Sequence, residues 1–312
     1  MTPDQIVLAT DFSPASSAAL SIAGRFAHIF KAKVLVVHVF QYVARHQYQV
    51  PVGWMIECIR RDVQHRMNET RKVLTNIGVE TEGRMIEDGF PALEILNVLL
   101  TCKNPLLVMG THAIGGMDRF VLGSTAEEVL RQASCPVITV GPHVTSEEGS
   151  DPNFHKVLYA TDFSDASLAA VPFAALLRKS SSASLRVLHV SADPDFHGSS
   201  EDGSFDLIQK ALGSGGTESA EFAAEYVTLH GTDISQAIAN EAERYPADLL
   251  VLGVHRASAF ASHLAPKIAF QVIAAAHALS SPYLLEVHLV PVRLLIGKEQ
   301  LWQIRVRHRA AM

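Results

Sequence analysis

Backbone amides and small hydroxyl side chains are concentrated along Met109-Gly110-Thr111-His112-Ala113-Ile114-Gly115-Gly116, and again at Leu122-Gly123-Ser124-Thr125. The chemistry open to such a run is anion binding. It follows an apolar stretch, Leu106-Leu107-Val108, and leads into a helical pattern from Thr125. A strand end, a glycine-rich loop and a helix start in that order let N–H groups converge on a phosphate. Gly110 and Gly123 lack the Cβ that would hold a ligand away from the backbone. Ser124 and Thr125 add hydroxyls at the helix start. Val39 could wall a base, and the backbone around Ala9-Thr10-Asp11 could read its edge.

Plainer roles compete at each position. Ser124-Thr125-Ala126-Glu127 has the spacing of a capping box, with Ser124 as cap and Glu127 reaching back, a role compatible with phosphate binding. Asp11 could bond backbone groups in the turn after the first strand. Arg119 could reach a phosphate or stay solvated, and His112 could orient a water. No His-Glu-x-x-His, no Gly-x-Ser-x-Gly and no loop lysine of the P-loop kind occurs in the chain. No complete catalytic device is visible.

The chain is written twice. Ala9-Thr10-Asp11-Phe12-Ser13 recurs as Ala160-Thr161-Asp162-Phe163-Ser164, and His38-Val39 as His189-Val190, both displaced by 151 positions. Val108-Met109-Gly110 returns as Val251-Leu252-Gly253, displaced by 143, so the second copy is shorter in its middle. Matches kept in order with small drifts indicate internal duplication. Between the copies, 142–152 is rich in Pro, Gly, Ser and acidic residues and reads as a linker. The expected division is 1–143, 154–290 and a basic tail, 291–312.

The elements that must position the loop alternate in kind. Ile6–Ala9 reads as a strand, and Ser13-Pro14 starts a helix with Ser as cap and Pro at the first position. Val34–Phe40 is a strand buried on both faces. A charged helix follows over about Trp54–Asn76, then a strand at Val79–Ile86. Pro91–Leu100 is a helix, Leu106–Met109 a strand, Thr125–Gln132 a helix and Val137–Val140 a strand. Five strands alternating with four helices require a parallel sheet covered on both faces, in each of two tandem α/β domains. Such sheets bind ligands beyond the C-terminal strand ends, where Asp11, Val39 and Gly110 all fall.

The 312 residues are 48 % hydrophobic and 19 % charged, with a net charge of -6, which argues against a general nucleic-acid binder. Cys58, Cys102 and Cys135 have no metal-site spacing and are expected to be small buried hydrophobes. No leader is read at the start, and the late apolar stretch 284–296 contains Glu286, His288 and Arg293. A reducing, cytoplasmic setting is the expectation.

The Ala-Thr-Asp-Phe-Ser start, the His-Val strand end and Gly110-x2-Ala113-x9-Gly123-Ser124 together resemble the universal stress protein family. Its nucleotide-binding members show Gly-x2-Gly-x9-Gly-Ser/Thr. The resemblance covers 3–142 and, more loosely, 154–290. It implies two tandem Rossmann-like domains of the HUP type, each a five-stranded parallel sheet between helices, commonly dimerising. It also implies ATP, with magnesium, in the first copy. Ala9, Thr10, Asp11 and Val39 would lie by the adenine, and Met109, Gly110, Thr111, His112, Ala113, Gly123, Ser124 and Thr125 around ribose and phosphates. Ala113 departs from the pattern, standing where the second glycine is expected. A nucleotide-free assembly protein with a retired site is the alternative it leaves open. Any catalysis would be limited to slow ATP hydrolysis or self-phosphorylation at Ser124 or Thr125.

The second copy has lost the loop. Arg256 replaces the second glycine, Pro266 the third and Lys267 the hydroxyl residue, so the backbone cradle is gone. This copy is expected to serve as an intramolecular dimer partner, its last strand near that of the first. Phe260, His263 and Phe270 read as core or interface groups. The tail carries Arg293, Lys298, Arg305, Arg307 and Arg309 against Glu299 and reads as a solvated end. Further pairing into a homodimer and a protein partner are left open, with no nucleic acid and no membrane span expected.

Overall fold

A computed structural model describes residues 2–40, 52–111, 123–141, 144, 153–193, 204–212, 224–253, 271–272, 275 and 285–289. The linker apart from Val144, the basic tail, and Arg119, Arg256, Phe260, His263, Pro266, Lys267 and Phe270 lie outside them.

In the first half the order is β1 (Gln5–Ala9), α1 (Pro14–Phe30), β2 (Lys33–Phe40), α2 (Val52–Asn76), β3 (Thr81–Glu87), α3 (Pro91–Thr101), β4 (Pro105–Gly110), α4 (Ser124–Gln132) and β5 (Val137–Val140). The second half adds β6 (Lys156–Thr161), α5 (Asp165–Leu168), α6 (Val171–Ser181), β7 (Ser184–Ser191), α7 (Ser204–Ala211), β8 (Glu225–His230), α8 (Ile234–Arg244), β9 (Leu249–Gly253) and β10 (Leu285–Leu289). Pro14 opens α1 behind Ser13, whose hydroxyl accepts the Ser16 N–H at 3.3 Å. Lys31 closes it in the left-handed region, at φ 54°, with its N–H on helix carbonyls.

The ten described strands form one sheet, ordered β3-β2-β1-β4-β5-β10-β9-β6-β7-β8. Pairing is parallel within each half, and β10 meets β5 antiparallel, Val287 opposite Ile138. The two halves therefore share a sheet around a pseudo-two-fold axis, and each gives its last strand to the junction. In the first half the strand order turns between β1 and β4, so Ala9 lies beside both Val37 and Met109. That is the switch point at which such sheets open a crevice.

One face of the sheet carries a core continuous across both halves, including Phe26, Phe30, Phe154 and Phe173. Phe26 packs on Phe154 at 4.8 Å, while the Arg25 guanidinium sits 4.1 Å over the Phe154 ring and bonds the Asn153 carbonyl at 2.6 Å. The opposite face is divided between two separate cores. Of the cysteines, only Cys135 is fully buried, its thiol pushed up to about 12 by desolvation. Cys58 departs from expectation by lying exposed on the charged helix α2.

The divided face shows how far the copies have diverged. Leu35 and Val98 belong to the apolar core of the first half. Their counterparts are Arg186, opposite Glu225 as Leu35 is opposite Glu82, and the buried Glu241 of α8. Arg186 bonds Glu241 at 2.5 Å and Glu225 at 2.8 Å, and lies 4.0 Å over the Tyr245 ring. Arg244 meets the other Glu241 oxygen at 2.8 Å.

Removing one partner of a buried pair strands the other, whereas removing both restores an apolar fit. Glu241→Val alone should lower stability by about 3 kcal/mol. The double variant Arg186→Leu/Glu241→Val should return to within about 1 kcal/mol of the parent or exceed it. Urea-unfolding midpoints measure both.

Candidate functional site

The turn from β1 into α1 is determined almost atom by atom. Asp11 Oδ1 accepts the Ser13 N–H at 3.0 Å and the Ser16 hydroxyl at 2.5 Å. Ser16 Oγ in turn accepts the Asp11 N–H at 3.2 Å, and Thr10 Oγ1 accepts the Phe12 N–H at 3.0 Å. Phe12 is thereby held at φ 62°, a left-handed conformation that an L side chain adopts at a cost of about 1–2 kcal/mol. Its ring rests against His38 at 4.5 Å, and His38 Nδ1–H donates to the Thr10 carbonyl at 2.7 Å.

The second half repeats the device. Phe163 stands at φ 59°, its ring lies 4.6 Å from His189, and His189 bonds the Thr161 carbonyl at 2.9 Å. Burial works to raise the Asp162 carboxyl, but hydrogen bonds from the Ser164 hydroxyl and N–H outweigh it and hold the group below its usual range. Asp11 and Asp162 thus have a structural role in the turn.

Across from that turn, Gly110 ends β4. A Cβ there would stand 2.6 Å from the Ala15 carbonyl carbon and oxygen, inside the backbone of α1. Gly253 has the same relation to Ala166, at 2.3 Å from its oxygen. The glycine shared by both copies therefore lets a helix pack onto a strand, a reason different from close approach to a ligand.

Gly123 is the reverse case. Its φ of -60° suits any residue, and a Cβ would meet nothing within 4 Å among the described residues. Gly123 also corrects the capping box. Gly123 is the N-cap of α4, Ser124 is the first helical residue, and no side chain caps the helix among the described residues. Glu127 supplies the first intrahelical donor, to the Gly123 carbonyl at 2.9 Å, and its carboxylate pairs forward with Arg131. The N–H groups of Ser124, Thr125 and Ala126 precede that donor, at the positive end of the helix dipole.

Between these elements lies a cavity of about 530 Å³, within the range of small-molecule sites. The structure brings Ala9, Thr10, Asp11, Val39, Met109, Gly110, Gly123, Ser124 and Thr125 to its walls. Thr111 is not among them: it is 1 % exposed, and its N–H and hydroxyl both go to the Val140 carbonyl, at 2.9 and 3.2 Å. His112 and Ala113 lie outside the described residues.

Sequence reasoning missed Ser16, Val37, Pro91, Ile95 and Ala126, which also line the cavity. Ser16 had a signal, because Ser13-x-x-Ser16 recurs as Ser164-x-x-Ser167. Pro91 and Ile95 are reached through the fold, since α3 follows an edge strand yet packs back toward β2. No group of three or more His, Cys, Asp or Glu able to hold a metal occurs among the described residues.

Two measurements separate the glycines and test the histidine. Gly110→Ala should cost about 1–3 kcal/mol through overpacking, and Gly123→Ala less than about 0.5 kcal/mol. Desolvation holds His38 below the usual histidine range, outweighing its bond to Thr10. Its folded pKa lies below the unfolded value of about 6.5, so its contribution is intact above that pH. The contribution is lost as pH falls toward the folded pKa, because the unfolded chain takes up the proton first. His38→Asn should therefore flatten the fall in urea midpoint between about pH 7 and 5.5 relative to the parent.

The comparisons with known proteins agree with one another. The sequence model of the universal stress protein family matches residues 3–141 and again 153–278. A universal stress protein of Methanocaldococcus jannaschii is 33 % identical over 138 residues, 44 % of this chain and 81 % of that protein. One from Thermus aquaticus is 30 % identical over 135 residues, 43 % of this chain and 96 % of the relative. The crystal structure of a universal stress protein from Archaeoglobus fulgidus covers 93 % of this chain and 99 % of its own, at TM-score 0.71 and 19 % identity. That last likeness is one of fold, over both halves. The chain belongs to the universal stress protein family, with the family unit present twice.

Proposed function

We propose that this tandem universal stress protein is a nucleotide-responsive regulatory protein whose first half binds ATP with magnesium. The observation that carries the reading is the pairing of the cavity with the start of α4, which no described side chain caps. Three consecutive N–H groups face its mouth, and beside them Gly123 leaves a space that no described residue fills. A phosphate group is the chemistry that uses both. Val39, Val37 and Ile95 supply the apolar slot a base needs, and the Thr10–Asp11 backbone supplies its polar edge. Magnesium would arrive with the triphosphate, held by phosphate oxygens and water.

We assign the units to 1–143 and 154–290, with 291–312 as a tail, and give the second half no nucleotide, because Arg256, Pro266 and Lys267 replace the cradle residues. Its part is to complete the sheet through β10 as a built-in partner. Free cysteines fit a reducing, cytoplasmic setting. Ala113 supports the second reading, an assembly protein that has retired its site.

Isothermal titration of the full chain with ATP-Mg separates the two. One saturable site per chain is expected, weakened at least about tenfold by Gly123→Val, which places a side chain where the phosphate would lie. Heat absent up to millimolar ATP supports the assembly reading, and undiminished binding by the variant removes the site assignment.

A further inference from the structure

The turn from β1 into α1 has a second cavity on its other side. It measures about 390 Å³, near the lower end of small-molecule sites, and lies between α1 and α2. Thr10 and Ser16 belong to both cavities, while Arg66, Glu69, Thr70 and Val73 of α2 belong to this one alone. Those four stand at spacings of three, one and three, so they share one face of the helix. Phe12 and Leu20, both half-buried, complete its apolar lining.

Charged groups of both signs stand beside that apolar surface. Arg66 meets Asp62 through Nε at 2.9 Å, so its two terminal amino groups remain to donate. Glu69 Oε1 lies 3.4 Å from His65 Nε2, a long contact between exposed side chains. Thr70 donates its hydroxyl to the Arg66 carbonyl at 2.9 Å, which leaves the oxygen to accept.

The second half shows what suits the Phe12 ring. There α7 takes the place of α2, and its Phe205 sets an edge against Phe163, with ring centres 5.1 Å apart. Val171, the counterpart of Leu20, is fully buried. In the first half the ring partner of Phe12 among the described residues is His38, and none comes from α2. The position that an aromatic side chain fills in one copy is a cavity in the other.

We propose that this cavity binds a free aromatic α-amino acid as its zwitterion. The ring lies edge-on to Phe12 between Leu20 and Val73, in the place Phe205 has in the second half. The carboxylate accepts from the terminal amino groups of Arg66. The ammonium donates to the Glu69 carboxylate and the Thr70 hydroxyl. Side chains three residues apart on a helix have Cβ atoms about 5–6 Å apart, which suits opposite charges carried on one ligand carbon. The cavity is open to water on one side, so these charge contacts are screened and the affinity is modest. None of the six residues lines the first cavity, so the assignment stands or falls apart from ATP binding.

Ligand-observed NMR titration of the full chain with L-phenylalanine tests this. Saturable binding with a dissociation constant on the order of 0.1–1 mM is expected for a ligand of this size. Arg66→Gln and Glu69→Gln should each weaken it at least about fivefold and, both side chains being exposed, leave the urea midpoint unchanged. Phenylacetate and phenethylamine each lack one charge, and L-alanine lacks the ring; each should bind at least about fivefold more weakly than phenylalanine. No saturation up to about 10 mM overturns the proposal. So does binding that neither variant weakens, which puts the probe elsewhere, or an analogue that binds as tightly as phenylalanine.

Discussion

The first turn of α1 lies backbone to backbone against the end of β4, and the cavity exists because of that contact. Any side chain at Gly110 would stand inside the Ala15 carbonyl. With the helix drawn in, the turn from Thr10 to Ser16 hangs over the carboxyl ends of β1 and β4, where the strand order reverses. The hydrogen bonds of Asp11 and the ring of Phe12 on His38 then hold the turn in a left-handed conformation it would not adopt alone. Gly253, Phe163 and His189 repeat the arrangement. The duplicated words of the sequence are therefore mostly words about this packing.

What differs between the halves is correspondingly informative. Gly123 meets no described neighbour at the position of a Cβ, and the second copy has Pro266 in its place. The buried Arg186–Glu241 pair shows the second half following a different course on the same scaffold. The common core on one face, with Phe26 on Phe154, ties the halves into a single body.

Much of the fold was legible because its signals are local. Ser13-Pro14 marks a helix start by capping chemistry, and Val34–Phe40 marks a doubly buried strand by its unbroken apolar run. The repeated strand ends located the crevice. The errors arose where the deciding partner is distant in sequence. A glycine in a list of residues does not show whether a ligand or Ala15 approaches it. Ser124-x-x-Glu127 satisfies the capping-box spacing, yet the helix begins one residue earlier and Glu127 turns to Arg131. Thr111 carries a useful hydroxyl, but the neighbouring strand claims it through Val140. The nearness of the two last strands followed from the duplication, whereas their antiparallel register, Val287 opposite Ile138, joins segments almost 150 residues apart.

The central claim is that the first half, and only the first, offers bare main-chain amides and room for a triphosphate. Native mass spectrometry of the gently purified full chain addresses it directly. The account predicts a single added mass of one adenine nucleotide per chain, retained or restored by millimolar ATP-Mg. A chain that carries none under those conditions, or that carries two, would contradict it.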